Sequence, residues 1–128
     1  MKKSVQYLFK ISIALTLVHS LSAGAQNIPP HAEGLKEELI TVDLAGNKKQ
    51  VGVYSTKIGA DKPTRLAVLL PGYPSVVRPV VEAGVMTNSK LTGNFLIRSR
   101  RFLADINIAT LIVDCQSDSG DYCSSSYQ

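Results

Sequence analysis

The residues able to do chemistry fall in few places along the chain. Pro71-Gly72-Tyr73-Pro74 follows the apolar run Leu66 to Leu70, Asp114 closes a second apolar run from Ile108 to Val113, and Cys115 and Cys123 flank a short polar loop. A glycine lets backbone approach a ligand closely, and an N–H aimed at developing negative charge lowers a barrier by several kcal/mol, so the backbone N–H donors at the Gly72 corner are candidate ligand contacts. Asp114, as a strand-end carboxylate, is placed to meet backbone N–H groups or arginine side chains. An activated nucleophile is missing. Serines are frequent at Ser117, Ser119 and Ser124 to Ser126, but a hydroxyl is a poor nucleophile without a base, and the histidines are His19 and His31, both ahead of the region that carries the candidate donor.

Other chemistries find less support. The cysteine spacing fits neither a Cys-x-x-Cys redox motif nor a paired-cysteine zinc site, so no metal or other cofactor is expected. Asp114, Asp118 and Asp121 lack the spacing of a calcium loop, and no glycine-rich phosphate loop accompanies the strand that ends in Asp114. A disulfide between Cys115 and Cys123 is expected if the chain reaches an oxidising compartment.

The elements that must position these residues follow from periodicity. Leu39 to Leu44 and Gln50 to Thr56 alternate in a β-favouring pattern around Ala45-Gly46-Asn47-Lys48, which predicts a hairpin. Lys57 to Thr64 is the loop into the third strand, Leu66 to Leu70, whose uninterrupted apolar character predicts cover on both faces. Val76 to Gly93, broken by Pro79 and Gly84, predicts a long loop with a short helical piece. Asn94 is placed to cap a helix from Phe95 to about Asp105, with Phe95, Phe102 and Ile106, or Leu96 and Leu103, on one broad apolar face. Arg98, Arg100 and Arg101 then lie on a solvated face, Arg101 within reach of Asp105. Strand, helix and strand make a βαβ unit, so the expected class is α/β, with a mixed sheet built from an N-terminal hairpin and a parallel βαβ unit.

In 128 residues this is one domain at most. Lys2 and Lys3, the apolar stretch Ile11 to Leu21 and the small residues Ala23-Gly24-Ala25 predict a cleaved signal peptide over 1–25, giving an exported, periplasmic or secreted product that starts at Gln26 and keeps no stable membrane anchor. Residues 26–35 form a flexible lead-in, and 36–128 the domain. Loss of Lys2, Lys3 and Lys10 with the leader removes most of the formal charge of +4, so no nucleic-acid partner is expected.

Hairpin, apolar strand, Pro71-Gly72-Tyr73 corner, helix and apolar strand ending in Asp114 together resemble the N-terminal half of the α/β-hydrolase fold, over about Lys36 to Gln128. In that family the loop after the third strand carries a His-Gly or related pair, and the N–H beyond the glycine helps to bind the oxyanion. Here the pair is Pro71-Gly72, which departs from the usual histidine and gives Tyr73 the donor position. The family's Gly-x-Ser-x-Gly nucleophile turn, acid and histidine have no counterpart in the chain. The resemblance implies a truncated N-terminal fragment of an exported hydrolase of esters or related acyl bonds, inactive as given, whose complete parent would take a small ester-like substrate. The alternative is a small non-catalytic exported binding module, with a partner chain covering the open edge of its sheet.

Overall fold

The computed structural model describes residues 27–116 and Cys123. The expected leader, the serines at 117, 119 and 124–126, and Asp118 and Asp121 lie outside the described residues.

Strands β1 (Leu35–Asp43) and β2 (Lys49–Lys57) form the expected hairpin, in register from Leu35 opposite Lys57 to Asp43 opposite Lys49. Its connection is the turn Ala45–Asn47, in which Gly46 and Asn47 both take positive φ, the region where glycine and asparagine are least strained. Next come β3 (Arg65–Leu69), a short antiparallel pair β4 (Val80–Glu82) and β5 (Val85–Asn88), helix α1 (Phe95–Leu103) and β6 (Ile108–Val113). The main sheet has the order β1-β2-β6-β3, with β6 antiparallel to β2 and parallel to β3. The class is therefore mixed α/β with a mixed four-stranded sheet and a small second sheet, and the hairpin and parallel βαβ unit are both present.

One face of the main sheet carries the core, where Val53, Leu69 and Ile112 pack with Val77, Met86 and Ile97 from the segments that cross it. At Gly52 the strands are too close for a side chain, since a Cβ there would lie 2.9 Å from the Ile112 carbonyl oxygen. The register places Ile40, Val42, Leu66, Val68, Leu111 and Val113 on the opposite face. There Leu66, Val68, Ile40 and Val42 are exposed.

Three expectations are corrected. The strand Leu66 to Leu70 lies at the sheet edge and is covered on one face only: Leu69 is buried, whereas Leu66 and Val68 are 50% and 53% exposed. Within 76–93 the expected helical piece is replaced by the β4–β5 hairpin, whose turn uses positive φ at both Ala83 and Gly84, as tight hairpin turns require. Its Gly84 carbonyl accepts from the Glu37 N–H of β1 at 2.7 Å, which ties the small sheet to the large one.

The third correction concerns α1, which begins as expected, with the Asn94 side chain accepting from the Leu96 N–H at 2.9 Å. Leu96 packs against the core and Arg98 is exposed as expected, but the rest of the helix departs from the hydropathy pattern. Ile97, Arg100 and Ala104 face the core, while Phe95 and Phe102 are 71% and 74% exposed and Leu103 and Ile106 are exposed too. Arg101 pairs with Glu33 at 2.6 Å rather than with Asp105, whose carboxylate accepts from the Asn107 and Ile108 N–H groups and ends the helix.

Candidate functional site

The candidate donor sits where β3 and its parallel neighbour β6 both end. After Leu69 the chain turns at Pro71 to Ser75: Ser75 Oγ donates to the Pro71 carbonyl at 2.5 Å and the Ser75 N–H to the Gly72 carbonyl at 3.0 Å. Pro71 is buried, whereas Gly72 and Tyr73 are exposed at the tip. A Cβ built on Gly72 meets nothing within 4 Å, so the fold itself does not demand glycine there.

Asp114 holds the segment that leaves the corner, in the role its position at a strand end implies. Its buried carboxylate accepts from the Val77 N–H at 2.6 Å, the Arg78 N–H at 2.9 Å and the Cys115 N–H at 2.7 Å, with the Arg78 guanidinium 3.6 Å away. Its own N–H donates to Val51 O at 2.9 Å, and the Gln50 amide donates to its carbonyl, so the β6 end is fixed to β2 as well. A carboxylate meeting several N–H groups satisfies backbone donors that a loop crossing a sheet would otherwise bury unpaired.

Cys115 and Cys123 form a disulfide, with a Cα–Cα distance of 5.6 Å. The bond abuts the same corner: the Cys123 N–H donates to Pro74 O at 3.0 Å, and Cys115 Sγ lies 3.4 Å from Ser75 O. Disulfides persist in oxidising compartments, and among the described residues no helix is long and apolar enough to cross a membrane.

A fully buried charge pair among the described residues is one the sequence patterns did not single out. Arg100 and Glu37, both fully buried, meet through Nε to Oε1 at 2.7 Å and Nη2 to Oε2 at 3.0 Å. The remaining lone pairs of Glu37 accept from Ser55 Oγ at 2.7 Å and the Met86 N–H at 2.7 Å, and Arg100 Nη1 donates to Ile97 O at 2.5 Å. Burial alone would push the Glu37 carboxyl up, but the hydrogen bonds and charge of Arg100, with those of Ser55 and Met86, outweigh it and hold the group below its ordinary value. His31, on a 3₁₀ turn at Pro30–Ala32, is half-buried beside the pair with Nε2 3.2 Å from Met86 O. Burial and the Arg100 charge lower its pKa, offset only partly by Met86 O and Glu37. The cluster has the saturated bonding of a structural ion pair, and the groove at His31 is lined by Pro30, Thr92, Arg98, Arg101 and Phe102, none of them corner residues.

This arrangement sets a pH dependence. Both groups have folded-state pKa values below their unfolded ones, so both contributions are present at neutral pH and fade on acidification. The His31 contribution is lost as pH falls from its ordinary 6.5 through the lower folded value. That of Glu37 is lost as pH falls below its ordinary 4.5. Urea midpoints at pH about 7.5, 5.5 and 3.5 should therefore fall in two steps, and His31→Gln should remove the first step and keep the second. A midpoint unchanged between the first two pH values would contradict the assignment.

Of the residues the sequence marks, the structure brings Gly72, Tyr73, Asp114 and the disulfide to one end of the parallel pair and leaves His31 against β5. No known protein family, curated protein or solved structure matches the chain.

Proposed function

We propose that the chain is the N-terminal part of an exported acyl hydrolase of the α/β-hydrolase kind, in which the Tyr73 N–H is one donor to the oxyanion of a small ester-like substrate. The observation that carries the reading is the corner itself. Its Gly72-Tyr73 tip is exposed at the carboxyl end of a parallel strand pair, where ligands of open α/β sheets bind, and the segment just after it, Val77-Arg78, is held by the buried Asp114 carboxylate. A turn closed by Ser75 bonds to Pro71 O and Gly72 O supports this reading, because backbone that is held in place needs little reorganisation as charge develops. The disulfide beside the corner supports export. The nucleophile, acid and base come from outside this sequence, so the 128-residue chain alone hydrolyses nothing above background.

The experiment is to read the coding sequence past the codon for Gln128. An apolar strand followed by a Gly-x-Ser-x-Gly-like turn and, later, an acid and a histidine is the expected result. A stop codon followed by unrelated sequence overturns the reading.

A further inference from the structure

The outer side of α1 carries two adjoining cavities. One, of about 660 Å³, has Phe95, Leu96, Phe102 and Leu103 as walls and Ser99 between the two rings. Phe95 and Phe102 stand two turns apart, about 10 Å along the axis, with the small Ser99 side chain in the interval. The other, of about 360 Å³, is the groove at His31, where Thr92, Arg98 and Arg101 supply polar lining. Arg98 and Phe102 line both, so the apolar cavity and the cationic one meet at these two side chains. The Arg101 guanidinium lies 4.5 Å from the centre of the Phe102 ring, which holds the ring at that boundary. No acidic residue lines either cavity. Arg101 is met by Glu33, but Arg98 has no ion pair and no side-chain hydrogen bond among the described residues.

We infer that this side of α1 binds a small amphiphilic carboxylate, with its alkyl tail between Phe95 and Phe102 and its head on Arg98, beside Arg101 and the Thr92 hydroxyl. The apolar cavity has the volume of a small-molecule site, within the usual range of about 300–1,000 Å³. Charge selects the class of ligand. A guanidinium with a free fork takes a carboxylate through two parallel hydrogen bonds. An alkyl ammonium would meet two arginines as like charges, and an apolar helix laid on the same face would bury the Arg98 guanidinium without a partner. Phe95 and Phe102 point away from the sheet, and so from the β3 edge at which a further strand of the proposed hydrolase would pair. The inference does not rest on acyl hydrolysis and is read by binding alone.

The test titrates decanoate, kept below its micelle concentration, into the full chain and into Arg98→Gln, Phe102→Ser and Val68→Ser, by calorimetry. All three positions are exposed, so the fold accepts each change, and Val68 serves as an apolar surface residue remote from α1. The wild type and Val68→Ser should bind one decanoate per chain with equal affinity. Arg98→Gln, which loses the charged fork, and Phe102→Ser, which loses a wall, should each bind at least about tenfold more weakly. Decyltrimethylammonium should bind the wild type at least about tenfold more weakly than decanoate. In the wild type the amide resonances of Thr92, Ser99 and Phe102 should move during the titration and that of Val68 should not, a readout that needs no variant. Decanoate binding that does not saturate, equal affinity for the cationic amphiphile, unchanged binding in Arg98→Gln, or resonance shifts that extend to Val68 would each overturn the inference. Phe102-dependent sedimentation with anionic vesicles, without decanoate binding, would assign the face to a membrane surface and overturn it as well.

Discussion

Arg100→Met should destabilise the fold by about 3–5 kcal/mol, because it leaves the Glu37 carboxylate buried with no countercharge. Against a total stability of about 5–15 kcal/mol for an ordinary domain, such a loss brings the chain close to unfolding. The sign of its pH dependence should also invert. With Arg100 in place the Glu37 carboxyl is held down, and stability is lost towards acid. Without it, burial pushes the carboxyl above its unfolded value, so the variant is relatively most stable in acid and loses stability as pH rises through the raised pKa. The double variant Arg100→Met, Glu37→Met removes both charges and should lose less than Arg100→Met alone. Urea unfolding at pH about 4 and 7 measures all three proteins. A loss under about 1 kcal/mol for Arg100→Met, or a loss of stability towards acid as steep as that of the wild type, would mean that the pair is not holding α1 to β1.

Asp114→Ala should have the next largest effect, about 3 kcal/mol, since it strips the acceptor from the N–H groups of Val77, Arg78 and Cys115 at once. Asp114→Asn keeps one acceptor oxygen and should lose roughly half as much. The disulfide and the Cys123 N–H to Pro74 O bond still tether the corner in these variants, so its loosening should be local. Amide exchange at Val77 and Arg78 should rise far more than at Val53 or Ile112 in the core. Uniform acceleration across the sheet would assign Asp114 a role in the whole fold and not in the corner.

What was legible in the sequence was local. The β1–β2 hairpin, the Asn94 cap and the Cys115–Cys123 bond each follow from residues close together in the chain, and the two strands that flank α1 from the apolar run within each, where turn chemistry and periodicity act directly. Asp114 was legible as a strand-end carboxylate, although its partners Val77 and Arg78 were not. The orientation of α1 was hidden because hydropathy assigns Phe95 and Phe102 to the core and arginine to water. The deciding fact is Glu37, 63 residues away, whose carboxylate takes both arms of the Arg100 fork. The β4–β5 hairpin was missed because its strands are too short to show a period and its Ala83-Gly84 turn is not a strong hairpin signal. The open face of β3 could not be foreseen from Leu66 to Leu70 either, since an unbroken apolar run announces burial and says nothing of which sheet position the strand takes.

The central proposal is that the corner acts through its backbone. It is tested most directly by steady-state ester hydrolysis with the product of the extended reading frame, comparing Gly72→Val with Tyr73→Phe. A side chain at Gly72 projects into open space beside the donor, so Gly72→Val should leave the fold intact and lower kcat by about 10²–10³, while Tyr73→Phe, which keeps the N–H, should change it less than about threefold. A Tyr73→Phe loss as large as that of Gly72→Val, or full activity in Gly72→Val, would contradict the assignment of the oxyanion donor to the Tyr73 N–H.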